Sequence, residues 1–205
     1  MQDNGRLIYM DHAATTPLDP DVFEAMRPYF TDLFGNPSSI YGLGRKSMAA
    51  IDSAHDQVAR VLNARPTEIV FTGGGSEADN LAIRGAAYAR RARGNHIITS
   101  AIEHHAVLHT CQQLEREDFR ITFLPVDENG LVSSQSVLDA ITDDTTLVTI
   151  MYANNEVGTV QPISEIGEIC RTRGGALSHR RRSGRRSART RRQATQCRLT
   201  DAFCP

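Results

Sequence analysis

Residues 68–99 read EIVFTGGGSEADNLAIRGAAYARRARGNHIIT, and the order of residue types in this stretch decides the fold. Glu68–Phe71 is a short β-rich run, and Gly73, Gly74 and Gly75 follow it. Ser76–Ala92 then carries a helical pattern, and His96–Thr99 is a second β-rich run. Strand, glycine loop, helix and strand in that order predict a βαβ unit. The alternation continues downstream: His105–Glu117 as helix, Ile121–Pro125 as strand, Ser134–Ile141 as helix, Thr146–Met151 as strand and Ile163–Arg171 as helix. The pattern predicts an α/β fold, a three-layer αβα arrangement around a mostly parallel sheet. Sheets of this kind place ligand sites at the carboxyl ends of their strands.

Upstream of this stretch, a polar loop from Asp11 to Pro20 leads into an amphipathic piece, Val22–Phe30, stopped by the Gly35-Asn36-Pro37 turn cluster. A longer helix is expected over Leu43–Leu62, where Met48, Ile51, Ala54, Val58 and Val61/Leu62 recur near helical spacing. With 40% hydrophobic residues the chain can bury a core, which excludes a wholly disordered or collagen-like polypeptide. No apolar run approaches the length of a membrane span. The first residues, Met1-Gln2-Asp3-Asn4-Gly5-Arg6, show no secretory leader pattern. Cys111, Cys170, Cys197 and Cys204 lie far apart, with no CxxC or Cys/His cluster, so a reducing, cytoplasmic setting without a metal site is expected.

The formal net charge of -1 conceals two halves of opposite sign. Residues 1–170 hold 23 acidic and 12 basic side chains, a balance of −11, whereas residues 171–205 hold 11 Arg against Asp201 alone, a balance of +10. Residues 172–205 also contain no Val, Ile, Met or Tyr. Burial of so many unpaired charges is too costly for a sheet interior. Residues 1–174 are therefore expected to form the folded domain, and 175–205 an Arg-rich tail, disordered on composition.

Three segments fall at predicted strand ends and carry chemistry. Phe71-Thr72-Gly73-Gly74-Gly75-Ser76-Glu77 lets backbone N–H groups and the Ser76 hydroxyl surround an anion at a helix start; the alternative is a flexible turn capped by Ser76. No Walker lysine and no GxGxxG is present, so the nucleotide and dinucleotide fingerprints do not apply. Glu103-His104-His105 offers a histidine for acid–base work or for stacking on a flat cofactor, against a plain helix-start histidine. His105 and His109 stand at metal-pair spacing but have no evident third ligand. Asn154-Asn155-Glu156-Val157-Gly158 supplies amides that hydrogen-bond a phenolic oxygen or carboxylate, against an Asn-rich turn.

Together with Tyr9-Met10-Asp11-His12-Ala13-Ala14-Thr15-Thr16-Pro17 and Gly35-Asn36-Pro37-Ser38-Ser39, these segments resemble the cysteine desulfurases, in order and with consistent spacing over about residues 7–171. Those enzymes are class-V aminotransferase-like, fold-type-I proteins that use pyridoxal 5'-phosphate. The resemblance implies the N-terminal part of the large cofactor domain. It implies that Gly75 and Ser76 hold the cofactor phosphate, that His104 stacks on the pyridine ring and moves protons, and that Asn155 bonds the phenolic oxygen. It further implies conversion of L-cysteine to L-alanine. The sulfur is held as an enzyme persulfide and passed to an acceptor protein for iron–sulfur cluster assembly or tRNA thiolation, and the family's members are homodimers.

The chain departs from the family pattern after Gly174-Gly175-Ala176-Leu177. The family's HTDAVQAAG-like segment, its Schiff-base lysine segment and its nucleophilic cysteine loop do not follow, and Lys46 is the only lysine. Arginine without lysine suggests CGN codons read out of frame in a GC-rich gene. Ser178 through Arg186 can be written TCA CAC CGA CGC CGT TCA GGC CGC CGG, and without the first T this reads HTDAVQAAG. A frameshift near residue 175 is therefore expected, with an inactive product. Sequencing the coding DNA should show the motif in the shifted frame; its absence there would remove the frameshift reading. Three other readings stand beside this one: an inactive dimer partner of an intact paralogue, another class-V enzyme such as a selenocysteine lyase, and an Arg-tail nucleic-acid binder. The last is disfavoured by the −11 of the folded part and by the lack of aromatic residues between the arginines.

Overall fold

Successive side chains of a strand face opposite sides of its sheet. In the computed structural model, which describes residues 2–3, 6–173, 176–181 and 199–202, the neighbours Ile97 and Ile98 show the consequence. They lie in strand β3 (His96–Ser100), and both are fully buried, in different clusters. Ile97 packs with Ile83, Ala86 and Ala87 of helix α4 (Gly75–Ala89) and with Val107, Cys111 and Leu114 of helix α5 (His105–Glu115). Ile98 packs with Val137 of helix α6 (Ser134–Ala140) and with Ile163, Ile166 and Cys170 of helix α7 (Ile163–Arg173). Strand β5 (Thr145–Thr149) divides its side chains the same way, Leu147 to the first cluster and Val148 to the second. Helices therefore cover both faces, and the expected three-layer αβα arrangement is present. Burying each of these aliphatic side chains stabilises the fold by roughly 2 kcal/mol.

The sheet runs in the order β4-β3-β5-β6-β7, where β4 is Arg120–Leu124, β6 is Ala176–Arg181 and β7 is Leu199–Ala202. All four adjacent pairs are parallel. From β3 the chain moves to β4 on one side, then returns through β5 to the other, so the direction of winding reverses between β3 and β5.

The chain divides into two units, 1–71 and 72–205. In the first, strands β1 (Gln2–Asp3) and β2 (Arg6–Leu7) pair antiparallel. The expected helix over 22–30 is two helices, α1 (Pro20–Met26) and α2 (Pro28–Thr31), because Pro28 has no N–H to continue the first. Helix α3 (Gly42–Leu62) ends where Asn63 turns left-handed at φ 54°. A Cβ on Gly44 would sit 2.5 Å from the carbonyl oxygens of Asn36 and Ser39, so the Gly35–Ser39 turn rests directly on the start of α3.

Two expectations differ from the structure. Glu68–Phe71 forms no strand; a 3-10 turn at Pro66–Glu68 precedes it, and no described strand lies beside it to accept its backbone hydrogen bonds. The Arg-rich segment, expected to lack secondary structure, forms β6 and β7. Parallel pairing uses main-chain N–H and C=O groups, which a reading of side-chain composition does not weigh. The rest of that segment, 174–175, 182–198 and 203–205, lies outside the described residues, as does the expectation of disorder there.

One buried polar ladder ties the sheet together across three strands. His96 is fully buried, and its Nδ1 and Nε2 lie 2.8 Å from the Oγ1 atoms of Thr145 and Thr122 respectively. Burial, helped by Arg120, pushes the imidazole down to about 4. The folded value is lower than the unfolded one, so the neutral form's contribution is present above pH ~6.5 and is lost as pH falls toward 4, by about 3 kcal/mol in total. NMR titration should find the His96 ring protons unshifted between pH 8 and 5.5. A midpoint near 6.5 in the folded chain would refute this.

Candidate functional site

The crevice beyond the carboxyl ends of β3 and β5, where the winding reverses, is where open parallel sheets place their ligands. The loop after β3 carries His104 and the loop after β5 carries Asn155, while Gly75 and Ser76 open α4 in the same unit.

Gly75 is buried at the first position of α4, and Ser76 next to it is exposed. Gly74, before them, has φ 168° and a Cβ there would meet nothing within 4 Å. No side chain caps this helix start. The expected alternative role of Ser76 as a capping residue is therefore not what the geometry shows. The first-turn acid Glu77 folds back and accepts from the Gly73 N–H at 2.7 Å, so its charge is spent on the loop. The helix's first N–H groups have no intrahelical acceptor and, with the Ser76 hydroxyl, suit an anion.

His104 is the N-cap of α5: its Nδ1 accepts from the Ala106 N–H at 3.1 Å. An accepting Nδ1 carries no proton, so the hydrogen-bond network assigns the neutral ring with its proton on Nε2. His104 and Ser76 line one cavity of about 370 Å³ between α4 and α5, with Asn80, Arg84, His105 and His109 on its walls. The Arg84 guanidinium leans on Glu117 at 3.2 Å. His105 and His109 stack at 5.5 Å and 29°, and among the described residues no group of three or more His, Cys, Asp or Glu is placed to hold a metal.

Asn155 is half-buried in the loop after β5, and its amide makes no hydrogen bond among the described residues. It is not on the wall of the cavity that Ser76 and His104 share. Its neighbour Asn154 is wholly engaged. The Nδ2 donates to the Ile102 carbonyl at 3.1 Å, and Oδ1 accepts from the N–H groups of Glu156 and Val157 at 2.8 and 3.0 Å. Two adjacent asparagines thus differ: Asn154 builds the loop, and the Asn155 amide is not engaged among the described residues. The sequence singled out the pair without separating them. Glu103, which accepts from the Met151 N–H at 2.5 Å, was legible only as a neighbour of His104; an acid three residues beyond an apolar strand was the available signal.

Cys111 and Cys170 are buried within α5 and α7 and form no disulfide. Burial, with Glu103 and Glu115 nearby, pushes the Cys111 thiol up to about 12, so it is no nucleophile at neutral pH. No helix among the described residues is long and apolar enough to cross a membrane.

A family model described as Aminotransferase class-V matches residues 8–179. The chain is 60% identical over 162 residues to the "Putative cysteine desulfurase IscS 1" of Bacillus subtilis, which is 79% of this chain and 43% of that protein. It is 57% identical over 164 residues to "Cysteine desulfurase IscS" of Clostridium botulinum, 80% of this chain and 41% of that one. The solved structure "SspA in complex with cysteine" superposes with a TM-score of 0.80 at 44% identity, over 84% of this chain and 50% of that chain. The chain spans about two-fifths of the length of the curated relatives it matches.

Proposed function

The chain belongs to the aminotransferase class-V family, and from that premise we propose that residues 72–173 carry part of the pyridoxal 5'-phosphate site of a cysteine desulfurase. The observation that carries the reading is the reversal of winding between β3 and β5, which sets His104 and Asn155 on the two loops flanking one crevice. The donor set fits the cofactor. The Gly75 and Ser76 N–H groups and the Ser76 hydroxyl suit its phosphate. The flat, neutral His104 ring suits its pyridine, and the unengaged Asn155 amide suits its phenolic oxygen. When bound, the cofactor supplies an electron sink for the substrate carbon.

In this reading Gly75 and Ser76 fix the phosphate end, and Asn155 donates to the ring oxygen. His104 would cover one ring face and offer its Nε2 N–H as a hydrogen-bond donor to bound L-cysteine. The sulfur goes to an acceptor protein, and the active assembly is a dimer of complete subunits in the cytoplasm, a setting supported by two buried cysteines that form no disulfide. The covalent anchor and the sulfur nucleophile are not supplied by residues 72–173: Cys111 and Cys170 are buried in helices, and Lys46, the sole lysine, lies in unit 1–71. That the segment from about residue 175 is out of frame is supported by the family match, which stops at residue 179, close to where one choice of synonymous codons lets the alternative frame read HTDAVQAAG.

The test is a titration of the 205-residue chain with pyridoxine 5'-phosphate, which lacks the aldehyde and so leaves Lys46 and the N-terminus unreacted. It is expected to bind at least tenfold more tightly than pyridoxine, with inorganic phosphate competing and Ser76→Ala weakening only the phosphorylated ligand. Equal affinity for the two ligands, or no effect of Ser76→Ala, would remove the assignment.

A further inference from the structure

We propose that Glu103 is the positioning residue of this crevice: its buried carboxylate clamps the loop after β3 to the loop after β5, so that His104 and Asn155 face one ligand. The inference deepens the cofactor-site reading above and rests on it.

Strand pairing between β3 and β5 runs through Thr99 opposite Thr149. Beyond that pair the chain turns toward β4 on one side and toward β6 on the other, so the ladder no longer holds the two loops at a fixed separation. Two side-chain bonds restore it. Glu103, only 6% exposed, accepts from the Met151 N–H at 2.5 Å, while Ser100 Oγ donates to the same Oε1 at 3.3 Å. From the other loop, Asn154 Nδ2 reaches the Ile102 carbonyl at 3.1 Å. Each bond starts one residue from a site residue: Glu103 precedes His104, and Asn154 precedes Asn155.

The choice of an acid here needs a reason. A buried carboxylate is expensive to desolvate, and a well-packed apolar residue often serves stability as well or better. What Glu103 provides, and an apolar residue does not, is an acceptor of full side-chain reach that makes a directional bond to one backbone N–H. That bond fixes Met151 against the residue that carries the His104 backbone. Loss of about an ångström of registry between such loops is enough to misplace a ligand held from both sides.

The experiment compares Glu103→Leu, Glu103→Asp and Glu103→Gln in the 205-residue chain, with pyridoxine 5'-phosphate and inorganic phosphate as separate probes. Leucine fills the space without accepting, aspartate keeps the charge but falls short of Met151, and glutamine keeps an acceptor at full reach. Glu103→Leu and Glu103→Asp are expected to bind inorganic phosphate as the parent does, because Gly75 and Ser76 are untouched, but to bind pyridoxine 5'-phosphate at least tenfold more weakly. Glu103→Gln is expected within about threefold of the parent. In the ligand-free chain, amide exchange at Met151 is expected to rise at least tenfold in the first two variants and to stay near the parent's in the third. Equal losses for both probes would mean a general structural role and would overturn the proposal, as would unchanged exchange at Met151. If the parent chain binds no pyridoxine 5'-phosphate, the cofactor reading fails. The clamp then stands or falls on the exchange of Met151 and on whether the His104 ring resonances broaden in Glu103→Asp and not in Glu103→Gln.

Discussion

Gly94→Ala is expected to destabilise unit 72–205 by on the order of 3 kcal/mol, seen as a fall of roughly 10 °C in thermal midpoint. A Cβ at position 94 would lie 2.3 Å from the Asp144 carbonyl oxygen and 2.6 Å from its Cα. Both are backbone atoms, so no rotamer change relieves the contact, and the segments entering β3 and β5 must separate. Their separation breaks the bond from the His96 N–H to the Asp144 carbonyl, now 3.1 Å, and loosens the buried His96–Thr145 contact beside it. Gly85→Ala is the control: it lies in the interior of α4, and its Cβ would meet nothing within 4 Å. Alanine there should raise stability by about 0.5–1 kcal/mol through helix propensity. A Gly94→Ala chain melting within 2 °C of the parent would show that the two segments have slack.

At His104 the two roles assigned to one ring are expected to separate on substitution. The Nδ1 atom caps α5, and in the proposed site the ring face would cover the cofactor. Asparagine is a strong N-cap without an aromatic face, so His104→Asn should keep folding stability within about 0.5 kcal/mol of the parent. It should bind pyridoxine 5'-phosphate roughly tenfold more weakly, the scale of one lost ring–ring contact. Phenylalanine reverses the pattern: the face stays and the cap goes, with about 1 kcal/mol of stability lost and affinity within about threefold of the parent's. Denaturant melts and ligand titrations of both variants check this. Parallel losses of stability and affinity in the two would mean that the ring acts only as a cap.

The sheet's parallel core was legible because Ile97-Ile98 and Leu147-Val148 are apolar at consecutive positions, the mark of a strand covered on both faces. The break at Pro28 was missed by reading 22–30 as one amphipathic piece, although proline stops a helix from its own position. Glu68–Phe71 has strand-like residues but no described strand to pair with, and pairing is a tertiary fact that local pattern does not contain. The strands β6 and β7 were missed for the converse reason: a poor local pattern continues the pairing of a neighbour's backbone. Among the candidate site residues, Gly75, Ser76, His104 and Asn155 stood out by residue type at predicted strand ends, of which the one before Gly75 is no strand in the structure. The division of labour between Asn154 and Asn155, and the reach of Glu103 to Met151, depend on which loops the topology makes adjacent, and no spacing along the chain encodes that.

The central place of β3 has a further consequence for the order in which the chain assembles. Its pairing with β4 closes over a short helix and is fast, whereas its pairing with β5 waits for a strand on the far side of that hairpin-like unit. The clamp between Glu103 and Met151 spans 48 residues. During synthesis from the N-terminus, Ser76 and His104 therefore emerge well before the segment that aligns them. Until β5 docks, one edge of β3 offers bare main-chain groups to any passing strand, and this interval is when the nascent chain is most exposed to aggregation.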